Sequence, residues 1–333
     1  MNGKRWAALG IAAVLFFVSI AVGAATTLFT ADTENIIDEL FASESAFYEE
    51  VIEGDDYSNV IAVFDVEGTI QDTGEASLLS SATYNHRAFM DKLKMAEEND
   101  DIKGIILRVN SPGGGVVESA EIYDKILDIK KVKKPVYVSM GSMAASGGYY
   151  ISAPADKIYA SPETMTGSLG VIMHGYNYEK LAKKYGVEFE TIKSGPHKDI
   201  MSPTREMTGE EREILQNMIN NSYDQFVKVI ANGRGMTEKE VREIADGRIY
   251  DGRQAKENHL IDDFGHLDDV IAAMKTDIGK KDAQVIRYTD EAGFGSLFSM
   301  GAQKMLGNDV EMAVLTKILS SSNSPRLMYL YAE

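Results

Sequence analysis

Val136-Tyr-Val-Ser-Met140 runs directly into Gly141-Ser-Met-Ala-Ala-Ser146-Gly-Gly-Tyr-Tyr150, an apolar β-branched run that gives way to small residues and a serine. The first five residues predict a strand, and the serine-glycine turn predicts a helix opening near Ser146. The same design stands upstream, where Asn110-Ser-Pro-Gly-Gly-Gly115 follows the apolar run 105–109. Further out, strands are expected at 60–66, 104–109, 157–160, 168–173, 187–192 and 285–288. They alternate with amphipathic helices at 82–98, 116–130 and 178–185, and with a long one carrying Ile214, Leu215, Met218, Ile219, Tyr223, Phe226, Val227 and Ile230. Short β-branched runs alternating with longer amphipathic stretches predict an α/β fold with a largely parallel sheet. Thr237 and Glu240 make a capping-box pattern for one more helix.

Composition narrows the chemistry. The chain of 333 residues carries 34 basic and 51 acidic side chains, a net charge of −17, so its surface would repel a phosphate backbone and nucleic acid is not an expected partner. It has no cysteine, which removes disulfides, thiol nucleophiles and thiolate-held metals, and no motif calls for a cofactor or a metal. Residues 6–29 are almost wholly apolar, follow Lys4 and Arg5, and precede Asp32, Glu34, Asp38 and Glu39. At roughly 1.5 Å per residue this run can cross a hydrocarbon core of about 30 Å. The basic flank predicts a cytoplasmic N-terminus and a body outside the cytoplasm. A cleaved signal peptide is the competing reading, since Ala21, Gly23 and Ala24 are small, but the apolar run continues past them. The expected organisation is a cytoplasmic N-terminus and transmembrane anchor over 1–29, an acidic spacer over 30–56, a catalytic domain over 57–295, and a C-terminal segment with a flexible tail over 296–333.

Each chemical motif has an ordinary explanation beside the functional one. Three consecutive glycines after a strand can simply make a tight turn, or they can present bare N–H groups to a developing oxyanion. Ser146 can be an N-cap, or a nucleophile helped by a helix N-terminus. Both glycine-rich strand ends are expected to face one crevice, because ligands of open α/β sheets bind at the carboxyl ends of strands. A nucleophilic serine needs a base, and none of His86, His174, His197, His259 and His266 stands in a catalytic signature. Lys193 and Lys198 bracket Ser194-Gly-Pro-His197, and such lysines are ordinarily solvated.

In order and spacing, Asn110-Ser-Pro-Gly-Gly-Gly, Met143-Ala-Ala-Ser146-Gly-Gly-Tyr-Tyr, Thr166-Gly-Ser168-Leu-Gly-Val and Lys193-Ser-Gly-Pro-His-Lys198-Asp resemble the signal peptide peptidase A family over roughly residues 57–275. The resemblance implies a Clp protease/crotonase-like fold of layered sheet and helices, preceded by the transmembrane helix. It implies a Ser/Lys dyad with Ser146 as nucleophile, Lys198 as general base and Ser168 as the hydroxyl that orients the lysine. Gly113 and Gly147 would supply the oxyanion-hole amides, Gly114 being the immediate neighbour of the first. It further implies a homo-oligomeric ring or dome, and apolar peptide substrates such as the signal peptides left after secretion. Lysine accepts a proton only when neutral, and its ordinary pKa is about 10.4, so Lys198 should be desolvated in the assembled protein. Met143, Leu169 and Tyr149 are candidate pocket residues or, equally, core. Leu327-Met-Tyr-Leu-Tyr331, after the Ser/Asn stretch 320–324, is either an end that packs or an internal substrate for the groove. A crotonase-like acyl-CoA enzyme and a silent membrane scaffold are the rival functions; the membrane anchor argues against the first, and a serine and a lysine at the dyad positions argue against the second.

Overall fold

The computed structural model describes residues 48–72, 84–289 and 326–331. Its framework is a nine-stranded sheet built from β1 (Tyr48–Glu53), β2 (Asp56–Glu67), β3 (Ile102–Ser111), β5 (Val136–Ala145), β6 (Lys157–Ala160), β7 (Met165–Gly167), β8 (Ile249–Tyr250), β9 (Asp263–Phe264) and β10 (Ala283–Thr289). The order along its main path is β1-β10-β2-β3-β5-β6-β9, with β7 on the far end of β5 and β8 beside β7. From β10 to β9 every pairing is parallel, and only the β1 edge and the β7–β8 pair are antiparallel. The mixed α/β expectation holds.

Period-two alternation sorts the central strands onto two faces. Ala62, Phe64 and Val66 of β2 and Ile105, Leu107 and Val109 of β3 join the larger core, shared with helices α1 (His86–Glu98), α2 (Val116–Lys131), α3 (Gly147–Ser152) and the C-terminal half of α5 (Gly209–Arg234). Ile61, Val63 and Ile106 face the other way and pack on Val270, Ile271 and Met274 of α8 (Leu267–Asp277). Buried on both faces, β2 and β3 read as continuous apolar runs, which is why the sequence finds them. The remaining helices are α4 (Glu179–Lys184), α6 (Glu238–Ile244) and α7 (Gly252–Glu257). Thr237 and Glu240 form the expected capping box on α6. Gly235, at φ 64°, ends α5; Gly233 lies inside that helix, so close to its neighbour that a Cβ there would sit 2.0 Å from the carbonyl oxygen of Ala153, the C-cap of α3.

Two expected strands are absent. Over 168–173 the chain leaves the sheet at Gly167 and Ser168, both with positive φ, and only Ile172 makes an isolated bridge. Residues 187–192 are exposed throughout and unpaired among the described residues. Val187, Phe189 and Ile192 therefore stand on an apolar arm, together with Tyr176, Tyr178, Leu181 and Tyr185. Its β-branched composition signals a half-buried surface, and nothing among the described residues covers it. At the ends, β1 falls within the stretch read as spacer, and β11 (Met328–Leu330) pairs with β4 (Gly113–Gly115) in a separate two-stranded sheet. Among the described residues no helix is long and apolar enough to cross a membrane. The expected anchor at 6–29, residues 82–83 of the expected helix 82–98 and the Ser/Asn stretch 320–324 lie outside the described residues; that helix starts at His86, with Asn85 as its N-cap.

Candidate active site

Strands β3 and β5 run parallel through the middle of the sheet and end together, with Ser111 opposite Ala144. Both glycine-rich turns therefore open on one crevice, as expected from the sequence. A Cβ on Gly113 would lie 2.5 Å from the Gly147 nitrogen, and one on Gly147 would lie 3.0 Å from the Gly114 nitrogen. Only glycine permits this approach, and Gly113 additionally has φ 101°.

Ser146 sits at the turn from β5 into α3 with φ 51° and ψ −113°, outside the regions open to most L-residues. Such a conformation costs on the order of 1–3 kcal/mol and persists where the surroundings impose it. Here its N–H donates to the Gly167 carbonyl at 2.8 Å and its carbonyl accepts from Tyr150 N–H at 2.8 Å. Although Ser146 is the N-cap of α3, its side chain makes no cap hydrogen bond. The Oγ is buried in a residue only 1% exposed, and has no hydrogen-bond partner among the described residues. The ordinary explanation, a capping serine, does not describe it.

Ser168 arrives beside it through β7, whose Gly167 is in register with Ala145. It is buried, has φ 50°, and donates its N–H to the Arg248 carbonyl at 2.7 Å. Against it opens a cavity of about 450 Å³ lined by Leu169, Gly170, Ile172, Tyr223, Gly247, Leu330 and others. Leu169 thus faces this space, while Tyr149 is core, its hydroxyl donating to the Leu260 carbonyl at 2.8 Å.

Lys198 is exposed, on the turns that follow the apolar arm. No described group bonds its Nζ, and the unpartnered Ser146 Oγ is out of hydrogen-bond range of it. The desolvation expected of a lysine base is not met among the described residues of one chain, where this segment stands exposed. The neighbouring candidates are committed elsewhere: Lys193 Nζ donates to Asp199 at 2.6 Å and to the Pro196 carbonyl at 3.0 Å, and the His197 ring lies 3.6 Å from Glu210 and 3.9 Å from Glu211.

The C-terminal strand lies in the crevice. β11 pairs antiparallel with β4, Met328 opposite Gly115, Tyr329 opposite Gly114 and Leu330 opposite Gly113, and Met328 exchanges two 3.0 Å backbone hydrogen bonds with Ile172 on its other side. Tyr331 N–H donates to the Pro112 carbonyl at 2.9 Å and Val116 N–H to the Leu327 carbonyl at 3.4 Å, so by the alternation of an antiparallel ladder Gly114 and Tyr329 are a hydrogen-bonding pair. The Tyr329 carbonyl oxygen lies against the two glycine turns, 2.0 Å from where a Gly113 Cβ would be and 3.0 Å from a Gly147 Cβ. The fully buried Tyr329 ring stacks on Tyr150 at 4.7 Å, tilts against Phe226 at 4.7 Å, and donates from its hydroxyl to the Ser222 carbonyl at 2.9 Å. This aromatic pocket, formed by Tyr150 and Phe226, was not read from the sequence, where Phe226 counts only as a packing position. One site residue needs sharpening: the Gly113 N–H donates to Ser111 Oγ at 3.0 Å, whereas Gly114 faces the carbonyl in the ladder.

A buried, strained serine hydroxyl beside converging glycine amides, in a groove that takes a chain segment as an added strand, suits acyl transfer on extended peptides. Models of two families match: Clp protease over residues 65–167 and Peptidase family S49 over residues 128–281, the latter spanning Ser146, Ser168 and Lys198. The class is a serine peptidase on a Clp-protease-like α/β framework. Along 99% of both chains the sequence is 42% identical to the "Putative signal peptide peptidase SppA" of Enterococcus faecium, and over 90% of this chain and 53% of the other it is 32% identical to "Protease 4" of Haemophilus influenzae. The protein belongs to the signal peptide peptidase A group of peptidase family S49.

Proposed function

We propose that the protein hydrolyses extended apolar peptides, remnant signal peptides among them, with Ser146 as nucleophile, Lys198 as general base and an acyl-enzyme intermediate. The observation that carries this reading is the Ser146 hydroxyl, buried, held at φ 51° and bonded to nothing among the described residues. A peptide would enter as β11 does, between β4 and Ile172, with an aromatic or apolar side chain in the Tyr150–Phe226 pocket. Ser146 Oγ attacks the carbonyl carbon; Lys198 takes the proton and returns it to the leaving amine. The oxyanion is met by the Gly147 N–H and by the glycine strand, through Gly113 if it releases Ser111 or through Gly114. Water activated by Lys198 then frees the acyl group, and Ser168 holds the amine in place.

Lys198 reaches this role on assembly. The apolar arm that precedes it is the surface a second copy would cover, and covering it would desolvate the lysine, which favours the neutral amine. A homo-oligomeric ring or dome is the arrangement this reading calls for. Residues 1–29 anchor the chain in the membrane with the N-terminus in the cytoplasm, 30–56 space the anchor from the catalytic domain at 57–295, and that domain works outside the cytoplasm. The name of the Enterococcus faecium relative supports the choice of substrate. The test is cleavage of an apolar reporter peptide, with fluorophosphonate labelling, by wild type, Ser146→Ala and Lys198→Ala. Full activity in either variant would overturn the dyad.

A further inference from the structure

Between the apolar arm and α5, residues 193–208 contain no helix or strand. Lys198 itself contributes one long backbone contact to this stretch, its N–H to the Gly195 carbonyl at 3.3 Å. The next residue does the holding. The Asp199 carboxylate accepts from Arg205 Nε at 2.8 Å, Arg205 Nη2 at 2.7 Å and Lys193 Nζ at 2.6 Å, and its carbonyl accepts from Arg205 Nη2 at 3.1 Å and Ser202 N–H at 2.9 Å. The other edge of the same guanidinium donates to both oxygens of Glu211 and to the Glu206 carbonyl at 3.0 Å.

Glu211 is a fixed point. It is 1% exposed and closes the capping box that starts α5, accepting from Thr208 N–H at 2.9 Å while its own N–H donates to Thr208 Oγ1 at 3.1 Å. From there α5 runs unbroken to Phe226, in the wall of the pocket that holds Tyr329. Arg205 thus ties the residue after Lys198 to the helix that forms the peptide pocket. A guanidinium bonded along both edges to two carboxylates, one of them fully buried, holds the backbone between residues 199 and 211 in one arrangement. A connecting loop does not need such holding. A lysine base does, because its four-carbon stem is flexible and where its amine can reach depends on where its backbone is held.

We propose that Arg205 is a positioning residue for peptide hydrolysis: by clamping Asp199 to Glu211 it fixes the backbone from which Lys198 reaches Ser146. The proposal rests on Lys198 being the general base. Lysine cannot replace the arginine, since only the planar fork addresses two carboxylates at once.

The experiment compares the full-length, assembled wild type with Arg205→Lys, Asp199→Asn, their double variant and Lys198→Ala, on one apolar peptide across pH, with active sites titrated by a fluorophosphonate. Each single variant should lower kcat per titrated site by about 10- to 100-fold, the loss expected from displacing a catalytic group by about 1 Å. KM should stay within about two-fold of wild type, because the clamp touches neither β4 nor the aromatic pocket. The rising limb of the rate profile, which reports deprotonation of the general base, should move, and the double variant should be no worse than the worse single one, since both break one clamp. Wild-type kcat and pH profile in either assembled single variant, or a rise in KM alone, would overturn the proposal. Should Arg205→Lys fail to assemble, the near-isosteric Asp199→Asn decides on the same readouts. Activity in Lys198→Ala would instead overturn the dyad, and is read from that variant alone.

Discussion

Ser146 and Ser168 are twins across a strand pair: each follows one member of the Ala145–Gly167 register pair, each has a φ near +50°, and the Ser146 N–H donates to the carbonyl just before Ser168. One hydrogen-bonded bridge therefore sets the position of both hydroxyls. Ser168→Ala should lower kcat on an apolar peptide by about 10- to 100-fold and leave KM little changed, as for a lost orienting group. Equal loss in KM would instead place Ser168 in substrate binding.

Among the basic residues near the dyad, loss should be confined to one. Lys198→Ala should abolish cleavage, whereas Lys193→Ala and His197→Ala should retain much of it, because Lys193 is bonded to Asp199 and His197 faces Glu210 and Glu211. Rates of purified, folded variants on one reporter peptide check this.

If Lys198 of one copy serves Ser146 of another, two inactive proteins should cure each other. Ser146→Ala and Lys198→Ala chains, mixed so that their subunits exchange, should regain a substantial fraction of wild-type activity. No recovery in demonstrably mixed assemblies would mean that the lysine works within its own chain.

The tail should be cut by the site it occupies. With the Tyr329 carbonyl against Gly113 and Gly147, the bond to Leu330 is the one presented, so intact-mass measurement should find wild type lacking residues 330–333 and Ser146→Ala complete. Identical, untrimmed tails in both would show that β11 only packs.

Acid should loosen the clamp that holds Lys198. Arg205 keeps the Asp199 carboxyl well below the usual carboxylate range and, with Thr208, lowers Glu211 to about 2. Both groups are more acidic folded than unfolded, so their contribution is complete above the unfolded value near 4.5 and is lost as pH falls through about 2. Limited proteolysis by pepsin at stepped pH should open the 193–208 segment across that window in wild type, and at higher pH in Arg205→Lys.

What the sequence made legible follows from how locally each feature is encoded. β2, β3 and β5 are buried on both faces, so their apolar runs are unambiguous. Ser168–Met173 misled because Leu169, Val171 and Ile172 look like a strand, while the positive φ of Gly167 and Ser168 that turns the chain away leaves no compositional mark. Val187–Ile192 has strand chemistry without a partner strand among the described residues. Ser146 was found through its flanking glycines, but only geometry separates a capping serine from an unbonded one. The Arg205 clamp joins residues 199, 205 and 211 across a stretch, 193–208, with no helix or strand, so no periodic pattern in the sequence marks it.

β11 also changes what the groove can accept. A strand covalently joined to its own enzyme competes for the groove as an intramolecular occupant, at an effective rather than a bulk concentration. A free peptide must displace that occupant, so the apparent affinity of every peptide is lowered by the fraction of grooves that stand open. The groove thereby acts as an affinity threshold, set by how well Tyr329 fills the pocket between Tyr150 and Phe226. Loosening that one aromatic contact would lower the bar for every peptide at once.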